Sequence, residues 1–192
     1  LSDFYCAMTA KSPEQIYDEL LVLKSQQGSK DAFSELVAKW QKRLWHYALQ
    51  ITRSESAAWD VVQETWVAII KGLSKLQDVT LFSCWTFSIL NNKCADWVRK
   101  QQLQSQLNSR LATQTQNYSD KEQGGNEKTE SLETAIERLP TDQRALLSLR
   151  YQQDFDISEI AEILAIPEGT VKSRLHRTLA ELREIMGANR NG

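Results

Sequence analysis

The sequence predicts an all-α protein made of two small helical domains joined by a flexible linker, the second domain containing a helix-turn-helix. Three observations carry that expectation. Apolar residues recur at spacings of three and four through both ends of the chain, the period of helices packed on one face. Only 3 prolines and 7 glycines punctuate 192 residues, so few positions oblige a helix to stop. Between the periodic stretches, residues 103–129 read LQSQLNSRLATQTQNYSDKEQGGNEKT, rich in glutamine and asparagine, with a Gly124–Gly125 pair and few apolar positions. That is linker composition, with a first part that can be helical. The expected domains are 12–102 and 130–187, and no fixed-period repeat relates them.

In the first domain, Ser12 is placed to cap a helix with Pro13 at its first position, running to about Gln27 before Gly28. Asp31 is the expected cap of a second helix over Phe33 to Gln50, where Leu36, Val37, Trp40, Leu44, Tyr47 and Ala48 keep helical spacing. A third helix runs from Ser54 to Lys71, with Gly72 at a natural C-cap position. Its inward face holds Val61, Val62, Thr65, Trp66 and Ile69. The outward face carries Asp60, Gln63, Glu64 and Lys71 around Val67, and from pattern alone it is either plain solvated surface or a docking site. After a loop at 73–81, a fourth helix is expected from Phe82 to about Gln102. Its aromatic and aliphatic residues exceed what one apolar stripe needs, so some must reach the surface or a junction. Exposed aromatics beside Lys93, Arg99 and Lys100 suit unstacked bases on a charged backbone, although a bulky core with a basic helix end reads equally well.

In the second domain, a short helix from Leu132 ends near Pro140, Thr141 is the expected cap of the next, and the stretch from Asp156 to Met186 completes four helices. This last stretch parses as a helix-turn-helix. Ile157, Ile160, Ala161 and Leu164 repeat at helical spacing, Ala165 to Pro167 interrupt, and a new helix opens at Glu168 to Thr170. On that helix Val171, Leu175, Leu179, Leu182 and Met186 gather on one side, while Ser173 and Arg177 lie opposite, flanked by Thr170, Arg174 and His176. Cations cluster near its start, where the helix dipole favours acids, and an anionic partner would relieve the mismatch. Arginine there can read guanine in the major groove or hold phosphate; a protein-binding or structural hairpin is the plainer alternative.

Composition narrows the function classes. A net charge of -2 argues against an indiscriminate nucleic-acid coat but leaves room for local basic patches. No run of 18 apolar residues offers a membrane span, and the N-terminal stretch does not read as a secretion signal. Cys6, Cys84 and Cys94 show no CxxC spacing, and only His46 and His176 supply imidazole, so reduced thiols of a cytoplasmic protein are expected and no metal site. No phosphate-binding glycine loop, HExxH, GxSxG or carboxylate pair in a cleft is present, which predicts no catalytic residues, no cofactor and no enzyme activity.

Taken in order, DAFSE at Asp31 to Glu35, DVVQETW at Asp60 to Trp66, the FxxWxFxI opening of the Phe82 helix, and IAEILAIPEGTVKSRLHR at Ile160 to Arg177 resemble the extracytoplasmic-function (ECF) group of bacterial RNA polymerase sigma factors. The resemblance spans about residues 20 to 186 and implies an alternative sigma factor that directs core polymerase to promoters. It implies that Asp60, Gln63 and Glu64 dock on the coiled coil of the polymerase largest subunit, and that the second domain also meets the flap. Phe82, Trp85 and Phe87, with the loop before them, match the part that opens the minus-10 element, and Asn92, Asp96, Arg99 and Lys100 match the adjoining DNA-facing helix. Thr170, Lys172, Ser173, Arg174 and Arg177 match positions that enter the minus-35 major groove. An anti-sigma partner is implied as well. The chain departs from the group at Ser83, Ser88 and Asn91, where basic residues are common, and at Ala165, where glycine is common and a turn without positive φ is therefore expected. The alternative reading is a two-domain regulator that binds an operator without joining polymerase; a helical adaptor that binds no DNA is a third.

Overall fold

The computed structural model describes residues 12–112 and 132–188, which form eight α-helices and no strand. Helix α1 (Pro13–Gln26) begins on a capping box: the Ser12 hydroxyl accepts from the Gln15 amide and the Gln15 side chain accepts from the Ser12 amide. Helix α2 (Lys30–Thr52) is capped by Ser29, whose hydroxyl accepts from Ala32 N at 3.3 Å; Asp31, the expected cap, lies in the first turn, where its charge suits the helix dipole. Helix α3 (Glu55–Gly72) is capped by Ser54. It does not end on a left-handed glycine: Gly72 has φ -104, and the chain continues into 3-10 turns at Leu73–Lys75 and Val79–Leu81. Close approach is what glycine provides there, since a Cβ at Gly72 would lie 2.8 Å from Cζ2 of Trp85.

Helix α4 (Phe82–Ala112) continues past the expected end at Gln102, so the first part of the linker is helical; residues 113–131 lie outside the described ones. The second half holds α5 (Leu132–Arg138), α6 (Thr141–Leu147) running into a π-helical turn at Ser148–Gln152, α7 (Ile157–Leu164) and α8 (Glu168–Ala188). Pro140 rather than Thr141 occupies the cap position of α6. Asp156 caps α7 through a second capping box with Glu159, both bonds 2.8 Å. At the helix-turn-helix corner Ala165 adopts φ 52 and ψ 45, which corrects the expectation of a turn without positive φ. The reason is hydrogen bonding: the Ala165 amide donates to Glu162 O and the Ile166 amide to Ala161 O, a closing geometry that requires a left-handed residue whatever its side chain.

The two halves share one core. Leu36, Trp40, Leu44 and Tyr47 of α2, Val62 and Ile69 of α3, and Phe87 and Leu90 of α4 join Leu146, Leu149, Phe155, Ile160 and Val171 of the second half. Helix α7 lies on α4, and α6 lies on α2. A smaller cluster of Ala135, Leu139, Leu147 and Leu182 fastens α5 and α6 to α8. Along α8 the apolar seam differs from the predicted one at its end, where Met186 is exposed and Ile185 packs instead. Thr178, also on that seam, is buried with its hydroxyl bonded to Arg174 O at 2.9 Å. Among the described residues no helix is long and apolar enough to cross a membrane.

Candidate nucleic-acid interface

The residues assigned to the minus-35 element share one surface. Pro167 cannot donate from its own nitrogen, but its carbonyl accepts from Thr170 N and Val171 N, which starts α8 immediately after the corner. Burial of Val171 in the core then fixes the rotation of the helix. Lys172, Ser173, Arg174 and Arg177 are exposed and Thr170 is half-buried beside them. The Lys172 ammonium lies 3.5 Å from the Glu168 carboxylate, and the Ser173 hydroxyl donates to Thr170 O. Neither Arg174 nor Arg177 has a carboxylate partner among the described residues, so two free guanidinium groups project from the first half of a helix held at its back. A groove-reading helix needs that arrangement.

Asn92, Asp96 and Lys100 follow one another at intervals of four on α4, Arg99 lies three past Asp96, and all four are exposed. Arg99 is held in place, donating Nη2 to Asp96 Oδ1 at 2.7 Å and Nε to Ala95 O at 3.3 Å. The aromatic residues assigned beside them divide differently. Phe82 and Phe87 are 2% and 0% exposed, so their assignment to direct DNA contact is corrected: both are core, packed edge-on against Trp40 at 5.1 Å and Phe155 at 5.0 Å respectively. Trp85 is half-buried against Gly72 and is the one of the three with surface to offer. The loop before α4 is built rather than slack. Gln26 of α1 donates Nε2 to Leu73 O and Leu76 O at 2.9 and 2.7 Å, and the Asp78 carboxylate caps the second 3-10 turn through Thr80. No sequence signal pointed to Gln26, whose partners lie about 50 residues away.

Asp60, Gln63 and Glu64 are exposed along one side of α3. Glu64 accepts from Lys93 of α4 at 3.1 Å, which ties this face to α4. Trp59, Val67 and Ile70 are exposed on the same helix, so the patch offers apolar area within an acidic frame. Sequence reasoning found Val67 and missed the other two; exposure of Ile70 was legible from its place beside Ile69, whose side chain takes the inward position.

The described residues contain no group of His, Cys, Asp and Glu that could hold a metal ion. Burial pushes the thiols of Cys84 and Cys94 up to about 12, so both are neutral and inert.

Comparison with known proteins agrees with this layout. A family model for sigma-70 region 2 matches residues 36–104, and one for sigma-70 region 4 matches residues 129–182. The ECF RNA polymerase sigma-E factor of Haemophilus influenzae is 29% identical over 177 residues, covering 85% of this chain and 92% of that protein. The ECF sigma factor SigW of Bacillus subtilis is 27% identical, covering 82% and 90%. Among solved structures, CnrH in complex with the cytosolic domain of CnrY is 25% identical with a TM-score of 0.65, covering 90% of this chain and 98% of that one. The sigma factor RpoE of Bartonella quintana, solved with the anti-sigma factor NepR, has a TM-score of 0.62 at 22% identity and attests the fold.

Proposed function

The chain belongs to the sigma-70 family, in its ECF group, and on that footing we propose how its residues divide the work of promoter recognition. Its function is that of an alternative sigma factor, which joins core RNA polymerase and directs it to promoters at transcription initiation. Asp60, Gln63 and Glu64, with Trp59, Val67 and Ile70 beside them, dock on the polymerase largest subunit: an acidic rim fixes register while the apolar spots lose water. Asn92, Asp96, Arg99 and Lys100 face the minus-10 element. Trp85 supplies the aromatic surface for a base taken out of the stack, with Phe82 and Phe87 supporting it from the core. Thr170, Lys172, Ser173, Arg174 and Arg177 enter the minus-35 major groove, where each base pair presents a distinct pattern of donors and acceptors.

The observation that carries this reading is the pair of unpartnered guanidinium groups on α8, set on a helix whose opposite side is buried. The chain performs no chemistry: core polymerase supplies catalysis and most of the non-specific hold on DNA. A protein partner of the anti-sigma class follows from the group, and CnrH having been solved with the cytosolic domain of CnrY supports it.

Reconstitution with core polymerase tests the assignment. The chain is expected to confer opening on a promoter, and Arg177→Ala to reduce opening about 10- to 100-fold where the minus-35 sequence is intact while polymerase binding is unchanged. Equal loss on a promoter with a scrambled minus-35 sequence rejects the groove role. Specific operator binding by the chain alone would favour a regulator independent of polymerase.

A further inference from the structure

Helix α2 carries a stripe of basic side chains that neither the docking nor the DNA assignment uses. Lys39, Lys42, Arg43 and His46 recur at intervals of three and four. That spacing sets them within about 100° of one another around the helix and over roughly 10 Å of its length. With Gln50, one turn further on, and with Gln152 and Gln153 at the end of the π-helical turn, they line a cleft of about 470 Å³. Among the described residues no carboxylate lines it.

Arg43 is the fixed member of the set. It donates Nε to Gln153 Oε1 at 2.6 Å and Nη2 to Gln153 O at 2.8 Å, and its guanidinium lies 5.0, 5.5 and 5.8 Å from the rings of Trp40, Phe87 and Phe155. Those contacts hold the planar fork in one orientation and leave Nη1 out of both bonds. Burial lowers the pKa of Arg43 even though the Asp18, Asp154 and Glu159 carboxylates oppose the shift, so its charge is incompletely compensated. Lys39 is tied to Asp18 at 2.8 Å. Lys42 and His46 are exposed and have no carboxylate partner among the described residues.

A neighbouring cleft of about 720 Å³ shares Lys39, Arg43, Gln152 and Gln153 but is lined as well by Glu14, Asp18, Glu19, Asp154 and Glu159. Arg43 therefore lines one cleft that supplies its countercharge and a second that supplies none. In a chain of net charge -2 the second is a local positive recess, and a recess lined by one sign of charge concentrates the opposite ion. Basic groups on three successive turns extend beyond the reach of a single phosphate, whereas a diphosphate meets two turns at once. The glutamine amides offer neutral donors and acceptors to an uncharged polar part of the same molecule.

We propose that the cleft of Lys39, Lys42, Arg43 and His46 is a binding site for a small anion carrying a diphosphate, either free or as part of a nucleotide. Its walls are α2 and the π-helical turn, so the bound anion stabilises the folded chain by mass action. The site rests on neither the promoter-reading nor the polymerase-docking assignment.

Titration calorimetry of the full chain at fixed ionic strength tests this with inorganic pyrophosphate, ADP, adenosine and sulfate. Pyrophosphate and ADP are expected to bind at one site per chain, with adenosine and sulfate at least about tenfold weaker. Tighter binding of ADP than of pyrophosphate would support a nucleotide, and equal binding the diphosphate alone. Lys42→Ala combined with His46→Ala, both at exposed positions, is expected to weaken pyrophosphate at least about tenfold. Lys42→Glu alone acts in the same direction, which keeps the test standing if the double variant is destabilised. Lys24→Ala combined with Lys30→Ala removes two exposed cations from elsewhere on α1 and α2 and is expected to leave pyrophosphate binding unchanged. No saturable binding of pyrophosphate below about 1 mM, sulfate binding as tightly as pyrophosphate, or equal weakening in the two double variants would each overturn the site.

Discussion

Ala165→Gly is expected to stabilise the protein, and the size of the effect follows from the corner geometry. Ala165 sits at φ 52 and ψ 45 with its side chain exposed, so its Cβ meets the left-handed penalty and packs against nothing that would repay it. An L-residue in that conformation costs roughly 1–2 kcal/mol. Glycine removes the penalty but gives the unfolded chain extra freedom worth about 0.4–1 kcal/mol. The net expectation is a gain of about 0.5–1 kcal/mol. Because the halves share one core, the described protein should melt as a unit of well over 100 residues, for which such a gain raises Tm by roughly 1–4 °C. Urea unfolding followed by circular dichroism measures this: the midpoint rises at unchanged slope. A lower midpoint would mean that Ala165 is not left-handed in solution, and the account of the helix-turn-helix corner would be wrong.

The docking face and the α7 cap give two further expectations. Glu64→Lys should weaken association with core polymerase at least about tenfold by placing a cation against Lys93 and against the partner's docking surface, with little change in melting because the Glu64–Lys93 pair is exposed; unchanged affinity in a titration rejects the docking role. Asp156→Ala should cost about 1 kcal/mol at neutral pH through loss of the α7 cap. Bonds from the Glu159 amide and the Ser158 hydroxyl hold the Asp156 carboxyl below the ordinary carboxylate range. Its stabilisation is therefore complete above the unfolded pKa and is lost as pH falls through the folded one, so the gap between wild type and variant should close below about pH 4. A gap that persists in acid would assign the loss to something other than the carboxylate.

Helices and their buried faces were legible because period and capping are local. The Ser12 and Asp156 capping boxes stand in the sequence as spacings of three, and the helix-turn-helix follows from Pro167 and the seam behind Arg177. Where two cap-formers stood close together, as Ser29 and Asp31 do, the choice depended on how the preceding turn packs, which local pattern does not encode. The resemblance assigns Phe82 and Phe87 to the minus-10 surface, and the apolar surplus of their helix says only that some aromatics find cover beyond one stripe. Phe82 packs on Trp40, and Phe87 also meets Phe155, which lies far along the chain. The same distance hid the hydrogen bonds between the two halves. Arg144 bonds to residues about 93 positions away and Arg43 to one 110 away, and a helical period says which side of a helix is apolar without saying what will cover it.

The departures from the ECF pattern on α4 have a structural use that bears on DNA affinity. Asn91, at a position where the group commonly has a basic residue, accepts from the buried Tyr47 hydroxyl at 2.9 Å, and Ser88 donates to Cys84 O at 2.9 Å. Both side chains are bonded within the fold and hold no phosphate. Under the proposed assignment the minus-10 surface relies on Arg99 and Lys100 for phosphate contact, and Arg99 must share itself with Asp96. Two neutralised phosphates correspond to a slope of log affinity against log salt of about 1.4 on single strands and 1.8 on duplex. Arg99→Ala combined with Lys100→Ala should flatten the salt dependence of promoter opening by the polymerase complex by roughly that amount, leaving the contribution of the minus-35 residues in place. A slope that did not move would show that these two cations do not meet phosphate, and that α4 reads its element without an electrostatic grip.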